Sequence, residues 1–157
     1  METYVLEKIV WTHEDFDVMG WHDSKLWGFL ANPDAWEFLI DLDYIFKWVT
    51  PKDDEGYYRF WISPVTMVFE NVSDVKLNID SRQGEIEIAN LNKESLRELK
   101  NNNLTEYAFC FECQEGEITL KATGYKMYVR RSPKLTGSQS FSFEERKGID
   151  FSRVMTS

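Results

Sequence analysis

From residue 24 onward, apolar and polar positions alternate with the two-residue period of a pleated strand. In "FLIDLDYIFKW" Phe38, Ile40, Leu42 and Tyr44 share one parity, and Leu39, Asp41 and Asp43 the other. "SKLWGFL" leads into this strand and "PKDDEG" turns the chain out of it. "YYRFWISPVTMVFENV" then runs extended, with Pro64 at an expected kink or edge position. "DVKLNID" and "EIEIANL" repeat the alternation on either side of "RQG", a pattern that predicts a hairpin. "LTEYAFCFECQ" and "EITLKATGYKMYVRR" predict another around "EG". In that last stretch Ile118, Leu120 and Ala122 are apolar at even positions, whereas Tyr125, Met127 and Val129 are apolar at odd ones. A slip of one residue on a single strand predicts a β-bulge, and Gly124 sits at the slip. "SQSFSFEE" reads as a final short strand with Phe141 and Phe143 inward.

Two segments break the alternation. "THEDFDVMG" predicts one helical turn, because Thr12 can cap it, Asp15 follows three residues later and Gly20 can stop it. "KESLRELK" predicts a short helix that pairs Leu96 with Leu99 and ends at "NNN". About eight to ten strands with one apolar face and short turns specify a mainly β fold. The expected architecture is an antiparallel β-sandwich or partly open barrel with one or two short helices. At 157 residues the chain fits a single domain, 1–157. No disulfide or metal is needed to stabilise a core of this size.

Composition adds large flat side chains to this picture. Six Trp, seven Tyr and eleven Phe favour strands and dominate the expected core. The formal net charge of −9 is unevenly spread. Residues 1–60 carry a net −8, residues 61–120 a net −6, and residues 121–157 a net +5. The acidic bulk repels phosphate backbones, so nucleic acid is not an expected partner. A basic protein partner fits better, because complementary charge speeds encounter and rejects wrong partners. The basic segment "KMYVRRSPK" is expected to pair internally with the acidic first half. "METYVLEKIVW" lacks a signal-peptide centre, and no apolar run approaches a membrane span, so a cytoplasmic protein away from membranes is expected.

Candidate chemistry is sparse. Cys110 and Cys113 are spaced as C-x-x-C. On a strand, a spacing of three sends the thiols to opposite faces, which argues against a redox pair, and no further Cys or His nearby completes a zinc site. Asp41 and Asp43 project from one face of their strand about 6.5–7 Å apart, close enough to share an ion or acid–base work on a glycoside. His22 and Asp23 can join them if the first strand pairs with the second, making a ligand set suited to Mn, Zn or Fe. The alternative is that these residues are solvated polar trim, or that Asp23 satisfies turn amides. There is no G-x-S-x-G, glycine-rich phosphate loop or H-E-x-x-H. Accordingly, no catalytic residue, metal ligand or cofactor is assigned. Trp21 and Trp48, like Trp27, Trp36, Trp61, Tyr57 and Tyr58, mix with acids as in sugar-binding platforms, although core packing accounts for such residues equally well. The candidate binding residues are therefore His22, Asp23, Asp41, Asp43, Trp21 and Trp48.

"GWHDS", "DLDYIFKW", "FWISPVTMVFENV" and "GYKMYVRRSP…ERKGIDF" together resemble a group of small bacterial cytoplasmic proteins without established activity. The resemblance covers residues 21 to 151 and implies a bacterial source and one domain; it carries over no catalytic residue. The expected function is non-catalytic binding, in which an acidic surface including Asp53, Asp54 and Glu55 docks a basic partner, as immunity or inhibitor proteins do. One rival is a metal-dependent or carboxylate-based hydrolase using His22, Asp23, Asp41 and Asp43. Another is a carbohydrate- or small-molecule-binding module.

Overall fold

The computed structural model describes residues 3–54 and 56–156. Among the described residues ten strands follow one another: β1 (Val10–Thr12), β2 (Ser24–Asn32), β3 (Glu37–Val49), β4 (Arg59–Glu70), β5 (Ser73–Ile79), β6 (Ile86–Leu99), β7 (Leu104–Cys113), β8 (Gly116–Ala122), β9 (Gly124–Val129) and β10 (Lys134–Thr136). They form one antiparallel sheet in the order β1-β9-β4-β3-β2-β6-β7-β8-β5, with β10 beside the first part of β4. The two outermost strands, β1 and β5, do not meet, so the sheet stays open. Among the described residues no helix is long and apolar enough to cross a membrane.

The alternation decides which face encloses the core. Phe38, Ile40, Leu42 and Tyr44 of β3 meet Val65, Met67 and Phe69 of β4 and Phe109 and Phe111 of β7 in one cluster. Ile118 and Leu120 of β8 and Tyr125, Met127 and Val129 of β9 complete it. Each such side chain taken fully out of water contributes about 1.5–3 kcal/mol. The aromatic rings meet mostly edge to face or tilted, as for Phe69 and Phe109 at 5.1 Å and 68°. A sheet with its apolar residues on one face must curl to bury them, and this one curls around that cluster.

β3 and β4 are buried on their other face as well. Phe38 through Ile45 and Phe60 through Phe69 are all buried. The cover on this second face is the stretch after β9. Its Phe141 packs with Ile45, Phe60 and Ile62 in a separate small cluster. Pro64 lies mid-strand, opposite Asp43 and between the β4 residues paired with β10 (60–62) and those paired with β9 (65–70). A residue without an N–H is tolerated where the neighbouring strand changes.

The capping turn forms as expected. His13–Val18 is a 3-10 turn, with Thr12 Oγ1 accepting from the Glu14 amide and Asp15 Oδ2 accepting from the Thr12 amide at 2.9 Å. The β7–β8 hairpin also forms, with Cys113 opposite Gly116.

Four local expectations give way to longer-range contacts. "KESLRELK" is the end of β6, paired with β7 from Lys93↔Phe109 to Leu99↔Leu104. A bulge between Ser95 and Arg97 absorbs Leu96, which shifts the alternation by one residue and imitates helical spacing. An isolated eight-residue helix is marginal in water, so ladder bonds to β7 prevail. β5 and β6 do not pair as a hairpin: β5 lies beside β8, completing a Greek key with β6, β7 and β8. The parity slip at Gly124 is a corner, not a bulge, because β8 pairs with β7 and β5 while β9 pairs with β4 and β1. Gly124 has φ +157°, and a Cβ there would sit 2.3 Å from Nδ1 of His13. "SQSFSFEE" forms bends and a turn instead of a strand, with Phe141 buried and Phe143 exposed.

Candidate functional site

Strand pairing sets Asp43 opposite Lys25 and Asp41 opposite Gly28, with an irregularity at Trp27 between them. Both carboxylates leave the outer face of β3 and are completely buried. The buried Arg146 meets Asp41 as a two-pronged pair, Nη1 donating to Oδ2 at 2.8 Å and Nη2 to Oδ1 at 2.6 Å. It reaches Asp43 through Nε at 3.2 Å. Arg130 Nη1 lies 2.9 Å from Asp41 Oδ1. Backbone amides and an indole take further lone pairs: Asp150 N donates to Asp41, while Phe141 N and Trp27 Nε1 donate to Asp43, each at 2.9 Å. The Arg146 guanidinium also lies 4.8 Å from the Trp27 ring centre.

Two carboxylates thus face two guanidiniums in a buried layer between β3 and the C-terminal segment. Burial acts against every charge in it. Burial raises the Asp43 carboxyl above its ordinary range, outweighing Arg146 and the Trp27 and Phe141 donors. Burial opposes the Arg146 charge too, but its hydrogen bonds to Asp41 and the charges of both aspartates win and raise it. Arg146 grips Asp41 with two short bonds and Asp43 with longer ones. This arrangement fastens the last stretch of chain over the β3–β4 face.

His22 and Asp23 stand apart from that layer. They precede β2 in a turn where Asp23 takes a left-handed φ of 67°. Asp23 accepts from Gln139 Nε2 at 2.8 Å and lies 3.4 Å from His22 Nε2. The segment at Gln139–Phe141 thus touches both Asp23 and Asp43, but it is Asp41 and Asp43 that share Arg146. Among the described residues no group of three or more His, Cys, Asp or Glu side chains is placed to hold an ion.

The exposed His22 ring stacks on Trp48 at 6.1 Å and 17°. Trp48 is itself partly exposed, packs edge-on against Tyr58, and is backed by the buried Phe60 at 5.0 Å. Tyr57 and Tyr58 stand exposed in the chain between β3 and β4, which also carries Asp53 and Asp54; Glu55 lies outside the described residues. Trp21 goes the other way, into the core, edge-on to Tyr44, Phe111 and Tyr125. Its buried indole N–H has no partner among the described residues. Asp23 has acidic company in Glu87, whose carboxyl is pushed up by burial and then by Asp23, Glu115 and Glu85.

The cysteines follow the strand argument. Cys113 packs against the core, whereas Cys110 Sγ reaches the outer Glu117 at 3.9 Å. Burial pushes both thiols up, Cys113 to about 11, so neither is poised as a thiolate.

The arginines are what residue patterns in the first half could not show. The signal that pointed to them was the basic stretch 121–157, and several of its charges do go to acids of the first half. Arg130 and Arg146 hold Asp41, Arg153 holds Glu37 at 2.6 Å, and Lys126 lies 3.5 Å from Glu70. No protein-family model, curated protein or solved structure matches this chain.

Proposed function

We propose that the protein acts by non-catalytic binding, docking a basic protein partner on the face formed by His22, Trp48, Tyr57 and Tyr58 with Asp23, Asp53 and Asp54 beside it. The observation that carries this reading is Trp48, held half-exposed between the His22 ring and Tyr58 over the buried Phe60. Interface anchors are enriched in Trp and Tyr because large, stiff side chains bury much area at little entropic cost. The surrounding carboxylates and the net charge of −9 favour a basic partner and speed its approach. The lone pairs of Asp41 and Asp43, which a hydrolase would need, are occupied by arginines, amides and an indole, which supports binding over hydrolysis.

The test is affinity capture from the native host at low salt, with wild type and Trp48→Ala as parallel baits. A basic protein retained by wild type, released by salt and lost with Trp48→Ala is the expected result. Recovery of no partner, or equal retention by both baits, overturns the proposal.

A further inference from the structure

A cavity borders the arginine layer, and its chemistry differs from that of the acidic surface. It encloses about 170 Å³ and is lined by Arg130, Arg131, Arg146 and Lys147, with Asp150 and the hydroxyl-bearing Ser152 and Thr156 completing the wall. A smaller cavity of about 100 Å³ adjoins it and shares Pro64 and Arg131. In a protein of net charge −9, Arg130, Arg131 and Lys147 line one small space beside the buried Arg146.

We propose that this cavity binds a small phosphoryl anion, either inorganic phosphate or a free phosphomonoester. The inference is independent of the docking face. Three observations support it. Arg130 is 5% exposed, yet among the described residues every side-chain bond it makes runs through Nη1, to Val65 O, Thr66 Oγ1, Asp150 O and the Asp41 carboxylate. Its remaining donors are left for whatever fills the cavity it lines. Arg131 lines both cavities and spends Nη1 on the Glu145 carbonyl at 3.1 Å, which sets its positive charge at the cavity wall. Lys147 makes no ion pair among the described residues.

The charge balance selects an anion. Asp41 and Asp43 offset Arg130 and Arg146, and Asp150 offsets one more cation, which leaves a positive surplus on the cavity wall. A guanidinium does not deprotonate near neutral pH, so cations are excluded. Donors on Arg130, Arg131 and Lys147 outnumber the two oxygens of a carboxylate, whereas a phosphoryl group offers three strong acceptors. Liquid water occupies about 30 Å³ per molecule, so the cavity has room for such an anion and a few waters. Asp150 does not block it: one carboxylate oxygen is already engaged by the Ser152 amide at 2.9 Å.

The experiment is titration of the full chain with inorganic phosphate, followed by amide NMR shifts, at ionic strength held constant with chloride. Phosphoserine and acetate titrations run in parallel. The expected result is a saturable response at Arg131, Lys147, Asp150 and Thr156 with a dissociation constant of about 1 mM or tighter. Arg131→Gln weakens it about tenfold and Lys147→Gln less, with acetate much the weaker ligand. Arg130 is kept intact because its removal would unfasten the chain. A linear, unsaturated response, or equal affinity in wild type and both variants, overturns the proposal. Saturation by phosphoserine at least as tight as by phosphate identifies the phosphomonoester as the natural class; saturation by phosphate alone identifies the free ion.

Discussion

Replacing Arg146 by Met tests whether the buried ionic layer fastens the C-terminal segment to the β3–β4 face. Methionine keeps an unbranched apolar stem of comparable length and removes the charge. After the change Asp41 keeps Arg130 Nη1 at 2.9 Å and the Asp150 amide, while Asp43 keeps only Trp27 Nε1 and the Phe141 amide. One buried negative charge is left without a cation. Breaking a buried pair in this way costs about 3–5 kcal/mol. Loss of the Arg146–Trp27 contact adds about 0.5–1 kcal/mol. For a chain of this length, 1 kcal/mol corresponds to roughly 2–4 °C, so the melting temperature should fall by about 7–24 °C.

The loss should also depend on pH in a defined direction. Asp43 already has its carboxyl raised by burial, and without Arg146 it rises further. A carboxyl whose folded value lies above its unfolded value makes the folded state the tighter proton binder. Stability of Arg146→Met therefore increases as pH falls from 7 through that raised value, levelling off near the unfolded aspartate value of about 4. Urea unfolding followed by tryptophan fluorescence at several pH values measures this directly, and Asp43→Asn/Arg146→Met should remove most of the pH dependence. A loss below about 1 kcal/mol at pH 7, or one that does not change with pH, would refute the reasoning.

Two further predictions concern the corner at Gly124. Gly124→Ala should cost about 2–4 kcal/mol, because the new Cβ would lie 2.3 Å from His13 Nδ1 on a backbone at φ +157°; combining it with His13→Ala should recover part of that loss in a double-mutant cycle, and strict additivity would count against the clash. His13 itself is held below its ordinary value, first by burial and then by Lys93. Its unfolded form takes a proton first, so stability is lost as pH falls from about 6.5 through the lower folded value, by under about 1 kcal/mol because the ring is partly solvated. An unchanged slope in His13→Gln over this range would exclude the ring as its source.

The two-residue alternation determined much of this protein from the sequence alone. It located strands from β2 to β9, the β7–β8 hairpin, the parity of the core side chains and the opposite faces of Cys110 and Cys113. The Thr12–Asp15 turn was legible too, since capping depends on residues within one turn of each other. These features are local, because the pleat and the cap act between near neighbours along the chain. Only the tertiary structure decided that "KESLRELK" pairs with β7, that β5 seeks β8, and that the slip at Gly124 is a corner under His13. It also decided the roles of the residues in the quoted acidic stretch. Asp41 and Asp43 look like solvent-facing trim or catalytic carboxylates until Arg146, more than a hundred residues later, lies over them. Alternation specifies that a side chain leaves a given face of a strand. What covers that face is set by contacts between distant segments, which a local pattern does not encode.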